Sequence, residues 1–123
     1  MLSAATALAA SDPEGKTEAS SLTWLLQHYR KGSTLNAYAP AFEKWKEHCE
    51  KKGIQPLPAS PWAVAEYLQQ ITASAHAAGH TASVIDRHCS AISMASRLSN
   101  LANPMDHIIV SMARESGRRL LGY

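Results

Sequence analysis

The chain is poor in the residues that would carry chemistry by themselves. Among its 123 residues there are only two cysteines, Cys49 and Cys89, with no Cys-x-x-Cys spacing. Each sits inside a helical pattern on or near the apolar face, so the pair reads as reduced core thiols rather than a disulfide scaffold. No Gly-rich phosphate loop, no His-Glu-x-x-His and no paired carboxylates at an active-site position occur. Tyr123 is not assigned as a nucleophile. No apolar run approaches the length of a membrane span, and no stretch alternates β-branched residues as a strand would. The ten residues MLSAATALAA have the look of a short signal region. They lack a basic leader and acidic residues follow at once, so an intracellular protein with no membrane partner is expected.

Charge is also scarce: charged residues make up 18% of the chain and the net charge is +2. Its distribution is uneven. Before Arg30, Lys16 stands against Asp12, Glu14 and Glu18; from Arg30 onward, the remaining eleven basic residues stand against seven acidic ones. The basic character belongs to the part expected to fold, which fits an acidic partner. At 46% hydrophobic residues, the composition suits one packed domain.

What is present is helix. Residues 1–17, with Ser-Asp-Pro-Glu-Gly, read as a flexible tail. A first helix is expected over about Thr17–Arg30, striped by Leu22, Leu25, Leu26 and Tyr29 and ended by Gly32. A second runs from Thr34 to about Lys52, with Leu35, Tyr38, Phe42, Trp45 and Cys49 on one face. Pro40, near its start, is expected to bend the first turns or to push the start later. After the Pro-rich link at 54–58, Ser60 caps a third helix with Pro61 at its first position, and Val64, Ala65, Leu68 and Ile71 form its inner face. Thr81 or Ser83 opens a fourth, with Val84, Ile85, His88, Cys89, Ile92 and Ala95 inward. Asn103 and Pro104 start a fifth, striped by Met105, Ile108, Ile109 and Met112 and closed by Gly117, Arg118 and Arg119. The expected fold is therefore all-α, a compact bundle of four to five helices over residues 18–119, with 120–123 beginning a linker.

Two candidate sites are set aside. His76 and His80 stand four apart, but Gly79 interrupts the helix between them, and no metal or cofactor is expected. Cys49 or Cys89 acting with the adjacent His48 or His88 is disfavoured because sequence neighbours on a helix point about 100° apart. Buried thiols with partly exposed imidazoles are expected instead. The outward face of the fourth helix is more informative. Ser83, Arg87, Ser90, Met94 and Arg97 follow one another at spacings of three and four, offering two guanidinium groups and hydroxyls with no acid among them. Guanidinium forks suit phosphates and guanine edges, and small hydroxyl residues allow close approach to a nucleic-acid backbone. On spacing alone, a solvated face with scattered arginines is the favoured account, because Lys and Arg are usual surface residues.

The order of the motifs adds a resemblance. Ser-Thr-Leu-Asn-Ala-Tyr (33–38) with Trp45-x-x-x-Cys49 comes first. Next come Ser-Pro-Trp-Ala-Val-Ala-Glu-Tyr-Leu (60–68), Ser-Val-Ile-Asp-Arg-His (83–88), Ile-Ser-Met (92–94), and Asn103-Pro104 leading to an Arg-Arg end. From about Ser21 to Arg119 this series resembles the N-terminal core-binding (SAM-like) domain of tyrosine recombinases and phage integrases, in particular the Cre-type branch. The resemblance implies a domain that lies on double-stranded DNA with its second and fourth helices toward the major groove. Its first and last helices would associate with neighbouring protomers, and a separate C-terminal catalytic domain would close the clamp. No catalytic residue is then assigned in this chain. The DNA-facing positions implied are Thr34, Asn36 and Ala37, then Ser83, Arg87 and Arg97, with Lys44 and His80 as peripheral phosphate contacts. Pro40 stands where an exposed polar or basic residue is common in that family. Together with the small side chains of Ala37 and Ser83, it points to recognition of shape and backbone. The location implied is the nucleus in a eukaryote, or the cytoplasm and nucleoid in a bacterium or phage. The competing expectation is a helical protein–protein module whose first and last helices dimerise.

Overall fold

The computed structural model describes residues 33–122 together with Ser20, Ser21 and Trp24. The expected tail and nearly all of the expected first helix lie outside the described residues; the three isolated ones are helical. The described residues form four α-helices, α1 (Ser33–Lys52), α2 (Pro61–Ala78), α3 (Ser83–Leu98) and α4 (Ile108–Leu121), plus one 3-10 turn (Pro104–Asp106) and no strand. The fold is all-α, a small helical bundle.

Local signals place the ends. Pro40 lies inside α1 and is solvent-exposed. The helix runs unbroken from Ser33, so the start is not displaced. A proline in the second turn forfeits only one backbone bond, and its ring here faces water. Ser60 caps α2 by accepting the Ala63 N–H, with Pro61 at the first helical position. Gly79 closes α2 at φ +75, and the N–H of His80 returns to the Ala75 carbonyl at 2.8 Å. This is the left-handed cap that glycine allows without strain. Asn100 does the same after α3, at φ 56, with Leu101 N–H on the Ser96 carbonyl at 2.9 Å.

One start matches expectation and one differs. α3 opens at Ser83, although neither Thr81 nor Ser83 caps it with a side chain. Their hydroxyls bond each other at 3.1 Å, and buried Ala82 takes the cap position. The Ala82 N–H is satisfied from afar, by the Gly122 carbonyl at 2.8 Å. Asn103 and Pro104 open only the 3-10 turn, with the Asn103 side chain accepting the Met105 N–H. His107 caps α4 instead, its Nδ1 accepting the Ile109 N–H at 3.1 Å.

That interruption rephases the last helix. Val110 and Gly117 are buried, and Met105 and Ile109 pack against the core as expected, whereas Ile108 and Met112 are 69% and 57% exposed, so that half of the expected stripe is corrected. Gly117 does not close the helix either. It is an interior position at which α4 presses on α2: a Cβ there would stand 2.5 Å from Thr72 Oγ1. The helix continues through Arg118 and Arg119 to Leu121.

The core joins all four helices. Phe42, Trp45 and Cys49 from α1 meet Val64, Tyr67 and Leu68 from α2, Ile85, Cys89, Ile92 and Ala95 from α3, and Val110 from α4. The link between α1 and α2 is fastened inward, because Trp45 donates its indole N–H to the Pro56 carbonyl at 3.0 Å. Among the described residues, no helix is long and apolar enough to cross a membrane.

Candidate nucleic-acid interface

Helices α1 and α3 pack side by side, and their outer edges form one surface. On α3, Ser83, Arg87 and Arg97 are exposed, as the spacing predicts. Ser90 and Met94 lie on the same strip but are half-covered, because the segment carrying the 3-10 turn folds back over this end of the helix. Along the axis Arg87 and Arg97 are about 15 Å apart, from a rise of ~1.5 Å per residue. From α1, Lys44 is exposed. Its charge and that of Arg87 both act on the buried imidazole of His88. Ser83 and Arg87 stand about one turn apart on α3. His80 is exposed in the link between α2 and α3, and Arg97 sits toward the opposite end of α3. Thr34, Asn36 and Ala37 fall in the first turns of α1, and their side chains lie outside the described residues.

Several of the acids are occupied elsewhere, while Glu47, Glu50 and Asp106 stay exposed and outside any ion pair among the described residues. Asp86 precedes Arg87 in sequence but turns toward α4, where its Oδ1 accepts from Arg114 Nη2 at 3.0 Å and Nε at 3.2 Å, with Arg118 Nε at 3.7 Å. Glu43 pairs with Lys46 at 2.7 Å, and Glu66 with Lys52 at 3.1 Å across α1 and α2. These exposed pairs add little stability. Their effect here is to leave Lys44, Arg87 and Arg97 without a carboxylate in ion-pair contact among the described residues.

Beneath this surface lies a polar cluster that the sequence did not foretell. His88, placed inward by its helical spacing, is buried more fully than the partly exposed imidazole expected, with its Nδ1 3.1 Å from the Tyr67 hydroxyl. Tyr67 packs edge-on to Trp45, with centroids 5.1 Å apart, and beside His48. Burial pushes the His88 imidazole down to about 4, with Lys44 and Arg87 acting in the same direction. Burial also pushes the Cys49 thiol up to about 12 and Cys89 to about 11, so both stay protonated at neutral pH. His48 is lowered as well, by burial first and then by Lys52.

The His88 position has a consequence for stability. Above the ordinary value of 6.5 the imidazole is neutral folded and unfolded, so the full stability is present. As pH falls below that value the unfolded chain takes up a proton that the folded chain refuses until about 4. Stability is lost across that window at up to ~1.4 kcal/mol per pH unit. Urea unfolding at pH 7.5 and pH 4.5 should show the wild-type chain losing about 2 kcal/mol more than His88→Gln, which can still accept from Tyr67. Equal losses in the two proteins would rule out His88 as the cause.

Among the described residues, no group of three or more His, Cys, Asp or Glu side chains gathers as a cation site. His76 and His80 fall on either side of the left-handed Gly79 cap and are both exposed. No protein-family model matches this chain and no curated protein matches it, so the interface is read from its own residues.

Proposed function

We propose that this chain is a helical DNA-binding domain of the core-binding kind found in tyrosine recombinases and phage integrases. It positions such a protein on its target duplex and is not catalytic by itself. The observation that carries this reading is the exposed outer edge of α3 and α1, where Lys44, Arg87 and Arg97 stand free of carboxylate partners while Asp86 is drawn to the opposite side. A helix edge with unneutralised guanidinium groups and a small hydroxyl residue at its start suits a phosphate backbone and the floor of a major groove. The first turns of α1 (Thr34, Asn36, Ala37) would form the adjoining contact. His80 would touch a flanking phosphate. Such a domain works inside the cell, in the nucleus of a eukaryote or at the nucleoid of a bacterium.

Titration of a fluorescent duplex at 50 and 200 mM salt tests the reading. Binding should weaken steeply with salt. Arg87→Ala should reduce affinity about tenfold and lower the slope of log K against log salt by about one. Absence of binding at low salt, or indifference to Arg87→Ala, would sink it.

A second reading, a protein–protein module, is favoured by one feature. Trp62 and Met112, 67% and 57% exposed, line a groove of about 510 Å³ between α2 and α4, with Ile108 exposed nearby. Self-association through the last helix would cover such a surface. Concentration-dependent mass without DNA affinity would favour this reading over the first.

A further inference from the structure

The half-covered end of α3 borders a cleft of about 330 Å³, formed where α3 meets the start of α1, the 3-10 turn and α4. Tyr38 from α1, Ser90, Ser93 and Arg97 from α3, and Arg114 from α4 line it. From these residues we infer that the cleft is a binding site for a single phosphate group, seated at that end of α3. It deepens the DNA-binding reading, since Arg97, one of the residues proposed to face the duplex, lines it.

The argument is one of available donors. Arg97 is exposed, and no ion pair or hydrogen bond engages its guanidinium among the described residues. The hydroxyls of Tyr38 and Ser90 are likewise unengaged among the described residues. Ser93 Oγ accepts from Asn103 Nδ2 at 2.7 Å, which leaves its own proton to give. Asn103 is itself fixed, because its Oδ1 takes the Met105 N–H. Arg114 spends Nε and Nη2 on one oxygen of Asp86, which leaves Nη1. One carboxylate, Asp106, also lines the cleft and is exposed. Several hydroxyl and guanidinium donors around one small concavity match a tetrahedral dianion or a phosphodiester, which carries only acceptors. Its charge opposes any anion there, against the guanidinium groups of Arg97 and Arg114 on the same lining.

The phosphate could belong to a DNA backbone or to a free phosphate compound, and the two sources separate experimentally. The first arm is duplex titration with Arg97→Ala, Ser90→Ala and Tyr38→Phe. Arg97→Ala should weaken binding about tenfold and lower the salt slope by about one. Ser90→Ala and Tyr38→Phe should each cost about threefold with the slope unchanged, since they remove a hydrogen bond and no charge. The second arm is a titration of the isolated protein with inorganic phosphate, followed by amide chemical shifts. Shifts confined to residues around Ser90, Ser93 and Arg97, and lost in Arg97→Ala, support the cleft whether or not DNA binds. If DNA binds and responds to Arg87→Ala but to none of the three cleft variants, and phosphate moves no cleft amide, the cleft proposal fails while the DNA reading stands. If DNA does not bind and phosphate moves no cleft amide, the cleft proposal fails as well. Arg97 is exposed and Tyr38→Phe keeps the ring, so far-UV spectra of the variants should match the wild type.

Discussion

Trp45→Ala is expected to remove about 4 kcal/mol of stability, the largest effect of any single truncation in this domain. The indole is fully buried at the meeting point of α1 with Tyr67 and with the α1–α2 link. Its loss leaves a cavity that helices on every side prevent from collapsing, and truncations of large aromatic residues in such sites cost ~3–5 kcal/mol. It also strands the Pro56 carbonyl, which accepts the indole N–H in a buried segment. A domain of this size holds about 5–15 kcal/mol in total, so about a quarter or more of that stability would go. Trp45→Phe separates the two contributions. It keeps much of the volume and removes only the donor, and should cost about 1–2 kcal/mol. Urea denaturation followed by far-UV circular dichroism is the suitable measurement, because Trp24 and Trp62 complicate fluorescence. A loss below 1 kcal/mol for Trp45→Ala would mean that the core does not depend on this anchor.

The second large effect is at Gly117. Gly117→Leu should destabilise the domain by roughly 4 kcal/mol or prevent folding, since overpacking already costs ~1–3 kcal/mol where neighbours can yield. Here they yield poorly. The nearest atom to a new Cβ is Thr72 Oγ1, and that hydroxyl is held by its 2.7 Å bond to the Leu68 carbonyl; Ile85 stands behind at 3.5 Å. A threonine side chain inside a helix has few other rotamers. Gly117→Ala is the more informative variant. Alanine gains ~1 kcal/mol of helix propensity over glycine, yet the contact with Thr72 should make the variant less stable by about 1–2 kcal/mol. Combining it with Thr72→Ala removes the clash, so the double variant should be about 2 kcal/mol more stable than the sum of the singles predicts. Simple additivity would show that α4 does not press on α2 at this point.

Much of the fold could be read without coordinates because helix ends and inner faces are local properties. Ser60 with Pro61 and Gly79 mark boundaries through their own backbone chemistry, and Phe42, Trp45 and Cys49 line up through spacings of three and four. The misreadings share one character. Asn103-Pro104 is a good helix start, and the chain uses it for a 3-10 turn. His107 is a weaker capping signal, yet it begins the helix that packs. Counting from Asn103 placed Ile108 and Met112 inside; counting from His107 places Val110 and Gly117 there. A glycine followed by two arginines also looks like a helix end, and nothing nearby in sequence reveals that Thr72 and Ile85 occupy the space a side chain would need.

The proposed interface divides in the same way. That Ser83, Arg87 and Arg97 would share an exposed edge follows from helical periodicity. The covering of Ser90 and Met94, the diversion of Asp86 toward Arg114, and the meeting of His88 with the Tyr67 hydroxyl do not. Each joins residues ten to twenty-eight positions apart, or depends on a neighbouring segment, and no local pattern encodes such a meeting. By itself, then, the sequence determined an all-α chain, where its helices begin and end to within a turn at most boundaries, and which faces of α1, α2 and α3 are apolar. Only the tertiary structure decided the rotation of α4, the glycine contact between α2 and α4, and which charges remain unpaired on the outer edge of α1 and α3. Backbone propensity and capping act over three or four residues, whereas packing and charge pairing act through space.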